Sequence, residues 1–280
     1  MAQQLTKTGA EGSFGALLRQ WRIARRLSQL DLSLEADVSS KHVSFLETGR
    51  SQPSREMVLR LSEVLHVPVR QRNTLLRAAG FAPFYTESDW NDPHLAEVRR
   101  SVERLIEQHN PYPAIVCDQC FNVHLQNRAS GVLMAHTLGP EAAVALADAE
   151  RVNMAELLFH PQGFRPAIAN WPEVGAAMIQ RLHREAATSS DPEVQDLLER
   201  VLRYEEVPPE WRFSDLESEL KVIVPLHIRT EALDLRFFTA ITTLGTALDV
   251  TLRELVIETF LPADDETEAS LRKMMEEAAE

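Results

Sequence analysis

The sequence predicts an α+β protein in which an all-α N-terminal segment of five helices precedes a segment that combines helices with an antiparallel five-stranded sheet. Apolar residues recur at helical spacing over residues 14–79, and strand-like runs flank a helical stretch in the rest of the chain. Residues 1–80 carry a net charge of +5 and residues 81–280 carry −18, within a total of −13. A basic segment is typical of a module that binds a polyanion, and uneven surface charge without a function is the alternative.

Composition excludes several classes of protein. Of 280 residues, 44% are hydrophobic and 25% are charged, which is enough apolar surface for a core. Two cysteines cannot supply a disulfide framework, so we expect a reducing, cytoplasmic location. The N-terminus lacks a secretory signal pattern. The longest uncharged runs, 129–140 and 237–248, are much shorter than the ~20 residues that span a bilayer, so we expect no membrane partner.

The five N-terminal helices follow from apolar spacing and capping residues. The first has a basic outer face and an apolar side that consists of Phe14, Leu17, Leu18, Trp21 and Ala24. Ser28 with Asp31 forms a capping-box pattern for the second, whose predicted apolar side is Leu30, Leu34 and Ala36. Asp37 suits a left-handed turn, and Ser39 caps a third helix that turns Val43 and Leu46 inward. Gly49 ends it, Ser54 caps a fourth, and a fifth spans roughly 69–79.

A resemblance to a DNA-binding family follows from these residues. Residues 29–50, QLDLSLEADVSSKHVSFLETGR, resemble the helix-turn-helix of phage Cro/CI-type repressors, the xenobiotic-response-element (XRE) family. The resemblance covers about residues 14–70 and implies a double-stranded DNA operator as partner, read by a helix in the major groove. A helical interaction module without DNA is the alternative.

The resemblance also implies roles for individual residues. The implied DNA-binding set is Gln29, Ser39, Ser40, Lys41, His42, Ser44, Arg50 and Arg55. Gln29 and Ser39 are expected at phosphates. Ser40, Lys41 and Ser44 are expected to face bases, with His42 nearby. Arg50 is expected at the backbone, and Arg55 at the backbone or the minor groove. Two residues depart from the family: Asp37 replaces a usual Gly, and Phe45 either packs in the core or touches a thymine methyl.

Strands and helices alternate in a characteristic order in the C-terminal segment. A connector over 81–111 contains a helix at Pro93–Gln108, which either carries dimer contacts or simply packs. Predicted strands are Ala114–Cys117, Phe121–Leu125, Lys221–Thr230, Leu233–Thr243 and Leu252–Leu261. Predicted helices run from about Ala129 through Asp148 to Leu158, over Pro172–Ala187 and over Pro192–Tyr204. This order is that of a PAS-like domain, whose antiparallel sheet carries helices over one face and encloses a pocket.

A second resemblance covers this segment. Residues 110–116, 159–171 and 242–263 are similar to the MmyB-like ligand-binding domain of bacterial regulators, which follows Cro/CI-type modules. The resemblance implies a PAS-like fold and a small-molecule effector, with fatty-acid-like ligands as one proposal for the family. The family usually has a Trp near the position of Phe121.

Most of the candidate ligand-binding residues lie in the second of these segments, residues 159–171. The candidates are Phe159, His160, Phe164, Arg165, Trp171, Met178, Phe237 and Phe238. His160 and Arg165 are suited to a ligand carboxylate, because Arg offers a rigid two-pronged donor. The alternatives are that the pair ties down a loop and that the apolar residues form plain core.

Motifs for catalysis are few. Cys117-Asp-Gln-Cys120 is a CxxC that fits incidental apolar cysteines, a thiol switch or, with two further ligands, zinc. The sequence has no phosphate-binding Gly-rich loop, no G-x-S-x-G and no H-E-x-x-H. We therefore expect no catalytic residues, no metal, no cofactor and no enzymatic activity.

Taken together, the sequence predicts a homodimeric, sequence-specific DNA-binding transcription regulator whose C-terminal domain senses a small apolar ligand. The alternative is a DNA-binding regulator whose C-terminal domain is a protein-interaction or dimerisation platform without a ligand. The predicted ranges are a helix-turn-helix domain at 1–80, a connector at 81–111, a ligand-binding domain at 112–263 and a solvated acidic tail at 264–280.

Overall fold

The computed structural model describes residues 12–139, 151–188, 192–213, 224–245 and 247–278. The chain divides into two compact units. The N-terminal unit is Met1–Ser88 with Leu248–Val250, and the C-terminal unit is Asp89–Ala247 with Thr251–Glu280.

Five short helices form the N-terminal unit, as predicted. They are α1 Phe14–Ala24, α2 Gln29–Glu35, α3 Ser40–Glu47, α4 Arg55–Val64 and α5 Val69–Ala78. The capping residues predicted from the sequence are present: Ser28 and Asp31 close a capping box on α2, and the hydroxyls of Ser39 and Ser54 cap α3 and α4. Each cap satisfies an N–H group that the first helical turn leaves without an intrahelical partner.

The core of the N-terminal unit lies where the helices meet. Its fully buried side chains include Leu18, Leu32, Val43, Leu46, Val58, Leu61, Leu65 and Leu76. The predicted apolar side of α2 is wrong in part, because Leu30 and Leu34 are 58% and 72% exposed while Leu32 is buried. Leu30 and Leu34 lie on one face of this seven-residue helix and Leu32 lies on the opposite face. The spacing of the leucines alone therefore did not show which face is buried.

An antiparallel five-stranded sheet with helices forms the C-terminal unit, which confirms the predicted fold class. The strands are β1 Ala114–Cys117, β2 Val123–Gln126, β3 Leu226–Arg229, β4 Asp234–Thr243 and β5 Val256–Pro262, in the order β2-β1-β5-β4-β3. The helices are α6 Ala96–Glu107, α7 Arg128–Leu138, α8 Met154–Phe159, α9 Trp171–Thr188, α10 Pro192–Val201, α11 Val250–Glu254 and α12 Asp265–Glu277. Residues 140–150 and 221–223, which belong to a predicted helix and a predicted strand, lie outside the described residues.

Both faces of the sheet are covered at β1, whereas the sequence had placed helices over one face. Ala114 and Val116 pack with Val102 and Ile106 of α6, while Ile115 points to the opposite face. Alternate strand residues project to opposite faces, so the four-residue run of β1 is buried throughout. The helices α7, α8 and α9 contribute to the larger core on the opposite face.

Two predicted elements near the C-terminus are corrected. The predicted strand Leu252–Leu261 begins as the short helix α11, because Leu252 and Leu255, three residues apart, both reach the core around Trp90. The predicted solvated tail is largely the helix α12, whose Leu271 and Met274 are buried in the larger core. Asp265, Glu266 and Glu268 lie in its first turn, where the helix dipole favours acidic side chains, whereas Glu276 and Glu277 lie at its opposite end.

Candidate DNA-binding face and ligand cavity

A tight turn positions the third helix of the N-terminal unit. Asp37 has φ 52°, a left-handed conformation that Asp adopts at lower cost than most residues. The Val38 N–H donates to the Ser33 carbonyl at 2.9 Å, and the Ser39 hydroxyl accepts from the His42 N–H at 3.1 Å. These bonds fix where α3 begins, so Asp37 serves in the position where the XRE family usually has Gly.

The outer face of α3 carries most of the residues predicted to read bases. Ser40 and Lys41 are exposed and His42 and Ser44 are half-buried, while Val43 and Leu46 fill the core. Small polar side chains and one cation therefore project from a single helical face. A helix of this kind fits the major groove, where hydroxyls, amides and ammonium groups meet base edges.

Phe45 lies at the edge of this face. It is half-buried and is absent from the buried core cluster of the N-terminal unit. Lys41 Nζ lies 5.5 Å and Arg50 Cζ lies 5.9 Å from the centre of its ring. Phe45 therefore does not pack inside the core, which was one of the two roles that the sequence left open. The ring instead holds two cations beside α3 through cation–π attraction.

Glu47 of α3, which was not among the predicted site residues, connects α3 to α1 and α2. Its carboxylate accepts from Arg22 Nε at 2.6 Å and Nη2 at 3.0 Å, and from Gln29 Nε2 at 2.8 Å. Burial raises the pKa of Glu47, but the hydrogen bonds from Arg22 and Gln29 outweigh burial and leave the pKa lowered. Gln29 was predicted to contact a phosphate; its side-chain amide donates to Glu47 in this structure.

The two remaining predicted DNA-binding residues are exposed cations. Arg50 follows the end of α3, and Arg55 is the first residue of α4. Arg55 Cζ lies 5.4 Å from the ring of Phe84, which is 51% exposed. Both guanidinium groups remain accessible to a phosphate backbone.

A mainly apolar cavity of about 250 Å³ lies in the C-terminal unit. It lies between one face of the sheet, represented by Ile115, Ile241 and Phe260, and the helices, represented by Leu133 of α7 and Ala177 of α9. Its walls come from segments far apart in the sequence, because the sheet brings the first and last strands of the unit side by side. Such a concave apolar site with few polar groups is typical of small-molecule binding.

One ion pair occupies the cavity wall. Arg181 of α9 donates to Glu258 of β5, and their side chains are 21% and 10% exposed. Arg181 Cζ lies 4.6 Å from the centre of the ring of Phe121, which also lines the cavity. Phe121 has φ 61°, a conformation that is strained for a bulky residue. Among the described lining residues, Arg181 and Glu258 are the only charged ones.

The predicted ligand-binding residues fall into separate groups. Phe164 and Met178 line the cavity. Phe159, Trp171 and Phe237 are buried in the core beside it, with the rings of Phe159 and Trp171 4.9 Å apart. Phe238 is 41% exposed and alternates with Phe237 along β4, so it projects from the opposite face of the sheet.

His160 and Arg165 lie outside the cavity lining. Arg165 pairs with Glu206 at 2.8 Å, and its Cζ stacks 4.2 Å from the ring of Trp171. His160 is exposed, and its Nδ1 accepts from the Gln162 N–H at 3.1 Å. These contacts agree with the alternative that His160 and Arg165 hold a loop in place. Arg181 and Glu258, the charged pair that does line the cavity, had no sequence signal, because neither lies in a recognisable motif.

Cys117 ends β1 and Cys120 lies in the turn before β2; both are buried, and they do not form a disulfide. Burial raises the pKa of the Cys117 thiol to about 12, with a further contribution from Glu258. A thiol of this kind is almost fully protonated at neutral pH, whereas thiol switches act through the thiolate. Within the described ranges, no cluster of His, Cys, Asp and Glu is arranged to hold a metal ion.

Comparison with known families covers most of the chain. A family model described as "MmyB-like transcription regulator ligand binding domain" matches residues 98–274, and a model described as "Helix-turn-helix domain" matches residues 13–75. A search of curated proteins found no match. No helix in the described part of the chain is long and apolar enough to cross a membrane.

Proposed function

The chain belongs to the family of transcription regulators with an MmyB-like ligand-binding domain, and we propose that a small apolar ligand in the cavity controls its sequence-specific binding to DNA. The observation that carries this proposal is the apolar cavity itself, in the unit that the family model matches. The helix-turn-helix domain makes the chain a DNA-binding protein, and the outer face of α3 supplies the side chains for base recognition.

The cavity also supports one of the two functions that the sequence left open. A platform for protein interaction has no need of a ligand-sized pocket, whereas a sensor must provide one. A space of about 250 Å³ with mainly apolar walls favours the sensor. Aliphatic chains, such as the chain of a fatty acid, match the methyl, methylene and aromatic groups of the wall; this match concerns the chain of the ligand and not its head group.

We further propose that the regulator acts as a homodimer on a nearly palindromic operator, with a PAS-like domain as the sensor. Helix-turn-helix dimers read half-sites about one turn of DNA apart, so a ligand that changes dimer geometry changes the fit to both half-sites. The working ranges are a DNA-binding domain at 1–80, a connector at 81–111 and a sensor at 112–263. Sedimentation of the free and DNA-bound protein measures the stoichiometry.

The DNA-binding part is tested with DNA selected from a random pool by the full chain. We expect affinity for the selected sequence to exceed that for scrambled DNA by at least ~10³-fold and to fall steeply with salt. Equal affinity for selected and scrambled DNA would remove sequence-specific recognition from the proposal.

The sensor part is tested by filling the cavity. Ala177 of α9 lines the cavity, and Ala187 of the same helix is exposed, so Ala177→Phe and Ala187→Phe make the same change in two environments. We expect n-alkanols to raise the melting temperature of the wild type and of Ala187→Phe but not of Ala177→Phe, since a ligand stabilises the state that binds it. Equal responses of the two variants would contradict binding in the cavity.

A further inference from the structure

The wall of the cavity presents an ion pair where a receptor for carboxylates would present a lone cation. We propose that the cavity selects an aliphatic ligand with an uncharged polar head, and that Glu258 is the specificity determinant that excludes a carboxylate head. This inference rests on the proposed ligand-binding function and adds the chemical class of the ligand to it.

First, the described part of the cavity wall carries no net charge. Arg181 alone would attract a carboxylate, because a guanidinium forms strong charge-assisted hydrogen bonds with carboxylates. Glu258 already pairs with it, so the two groups together are neutral. In the described part of the lining there is no second cation that would balance the charge of a bound acid.

The second step is the geometry around the guanidinium. Arg has five N–H donors in one plane, and Glu258 accepts from Nη1. The Phe121 ring covers a face of the guanidinium at 4.6 Å, so the ligand head must approach in the plane. A hydroxyl, ester or amide oxygen can accept from a remaining N–H without adding charge. A carboxylate in the same place would lie next to Glu258, where low exposure leaves their repulsion poorly screened.

The third step is that Glu258 cannot readily move aside. It lies on β5, the central strand of the sheet, where its Cα pairs with Ile115 of β1 on one side and Ile241 of β4 on the other. The backbone that carries this carboxylate is therefore fixed by strands on both sides, and only its side-chain torsions remain. A carboxylate ligand meets Glu258 rather than displacing it.

The experiment compares two probes of equal chain length, decan-1-ol and decanoate, by calorimetric titration of the full-length protein at pH 8. We expect the wild type to bind decan-1-ol at least about tenfold more tightly than decanoate, since a difference of that size follows from one poorly screened like-charge contact. Glu258→Gln should shift the affinity ratio of the two probes toward decanoate by at least about tenfold.

A matched control makes the same substitution in an exposed pair of the same unit. Glu156 pairs with Arg200 at 2.6 Å, and their side chains are 37% and 45% exposed, so Glu156→Gln should leave both affinities as in the wild type. A wild type that prefers decanoate, or a ratio that Glu258→Gln does not change, would overturn the inference and leave the ligand-binding function standing. Failure of both probes to bind any variant would overturn the proposed ligand-binding function, and the inference with it.

Discussion

Among the residues that the structure describes, each unit contains one Arg–Glu pair with little exposure to solvent, and the two pairs differ in their surroundings. In the N-terminal unit, the side chains of Arg22 and Glu47 are 12% and 3% exposed, and the carboxylate meets three donors from two helices. In the C-terminal unit, Arg181 and Glu258 lie in a cavity wall. The same chemical pair therefore closes a packed helix junction in one unit and faces an internal space in the other.

The role of a buried ion pair therefore depends on which of its hydrogen-bonding groups are already used. Arg22 donates Nε and Nη2 to Glu47 and Nη1 to the Leu27 carbonyl, so its role is to hold the helices together. Arg181 faces the cavity and donates to Glu258 through Nη1; among the described residues its other N–H groups have no acceptor, so we expect them to serve a ligand head. The following predictions test whether the first pair is structural and the second is functional.

The largest effect is expected from Glu47→Ala. This change leaves the buried Arg22 guanidinium without its carboxylate and should lower the free energy of unfolding of the N-terminal unit by about 3–5 kcal/mol. Urea unfolding followed by segment-resolved hydrogen exchange measures the loss in that unit. Glu258→Gln, in contrast, should cost the C-terminal unit at most about 1–2 kcal/mol, because it keeps a hydrogen-bonding amide. Comparable losses from both changes would remove the distinction between the pairs.

A smaller effect is expected where α1 approaches the end of α3. A Cβ on Gly15 would lie 2.5 Å from the Leu46 carbonyl oxygen and 2.6 Å from that of Glu47, so Gly15→Ala must push the two helices apart. We expect a loss of about 1–3 kcal/mol in the N-terminal unit, seen as a lower melting temperature.

Gly131 of α7 is the matched control, because a Cβ there meets nothing within 4 Å. Gly131→Ala should instead stabilise the C-terminal unit by up to about 1 kcal/mol, because Ala favours a helix interior. Destabilisation by Gly131→Ala as large as by Gly15→Ala would show that the contact with α3 is not the cause.

The next effects concern DNA binding, to which we expect the exposed cations Lys41 and Arg55, rather than Arg22, to contribute. Lys41→Ala should relax discrimination at one base-pair position by about 1–3 kcal/mol, whereas Arg55→Ala should weaken binding to all sequences and reduce the salt slope by about one. Binding isotherms at several salt concentrations, on selected DNA and its point variants, separate the two outcomes. Equal salt slopes for the wild type and Arg55→Ala would argue against a phosphate contact by Arg55.

The smallest effect is a dependence of stability on pH. The pKa of Glu47 is lowered in the folded state, so the carboxylate contributes stability above its unfolded pKa of about 4.3 and loses it as the pH falls through the folded value. Glu47→Gln should therefore show a flatter decline in unfolding free energy below about pH 4.5. Asp118 of the C-terminal unit, whose pKa is also lowered because hydrogen bonds from His124 and Asn122 outweigh burial, is expected to add a similar decline there. Chemical unfolding between about pH 3 and pH 6 measures both.

The two units also differ in how far the sequence could predict them. The caps at Ser28, Ser39 and Ser54 and the turn at Asp37 are local features, and all were found where the sequence placed them. The burial of leucines in α2 was partly wrong, because a seven-residue helix is too short for its periodicity to define one face. Local hydrogen bonding was predictable, whereas tertiary burial on a short element was not.

The cavity was predictable only in kind. The order of strands and helices indicated a sheet with a pocket, but Arg181 and Glu258 are 77 positions apart in the sequence and meet only through the packing of α9 on β5. Phe159 and Trp171, which the sequence favoured, are neighbours of the cavity and belong to the core. A motif identifies residues that are close along the chain, and a cavity wall is made from residues that are not.

The N-terminal unit has one part that is distant in sequence. Residues 248–250 belong to it: the Val250 N–H donates to the Thr86 carbonyl at 2.8 Å, and the Ser88 hydroxyl donates to Asp249, 161 positions later, at 2.6 Å. A cut after Ser88 therefore does not contain the whole N-terminal unit. A chimera that transplants only the five helices loses these hydrogen bonds, so the graft should also carry residues 248–250.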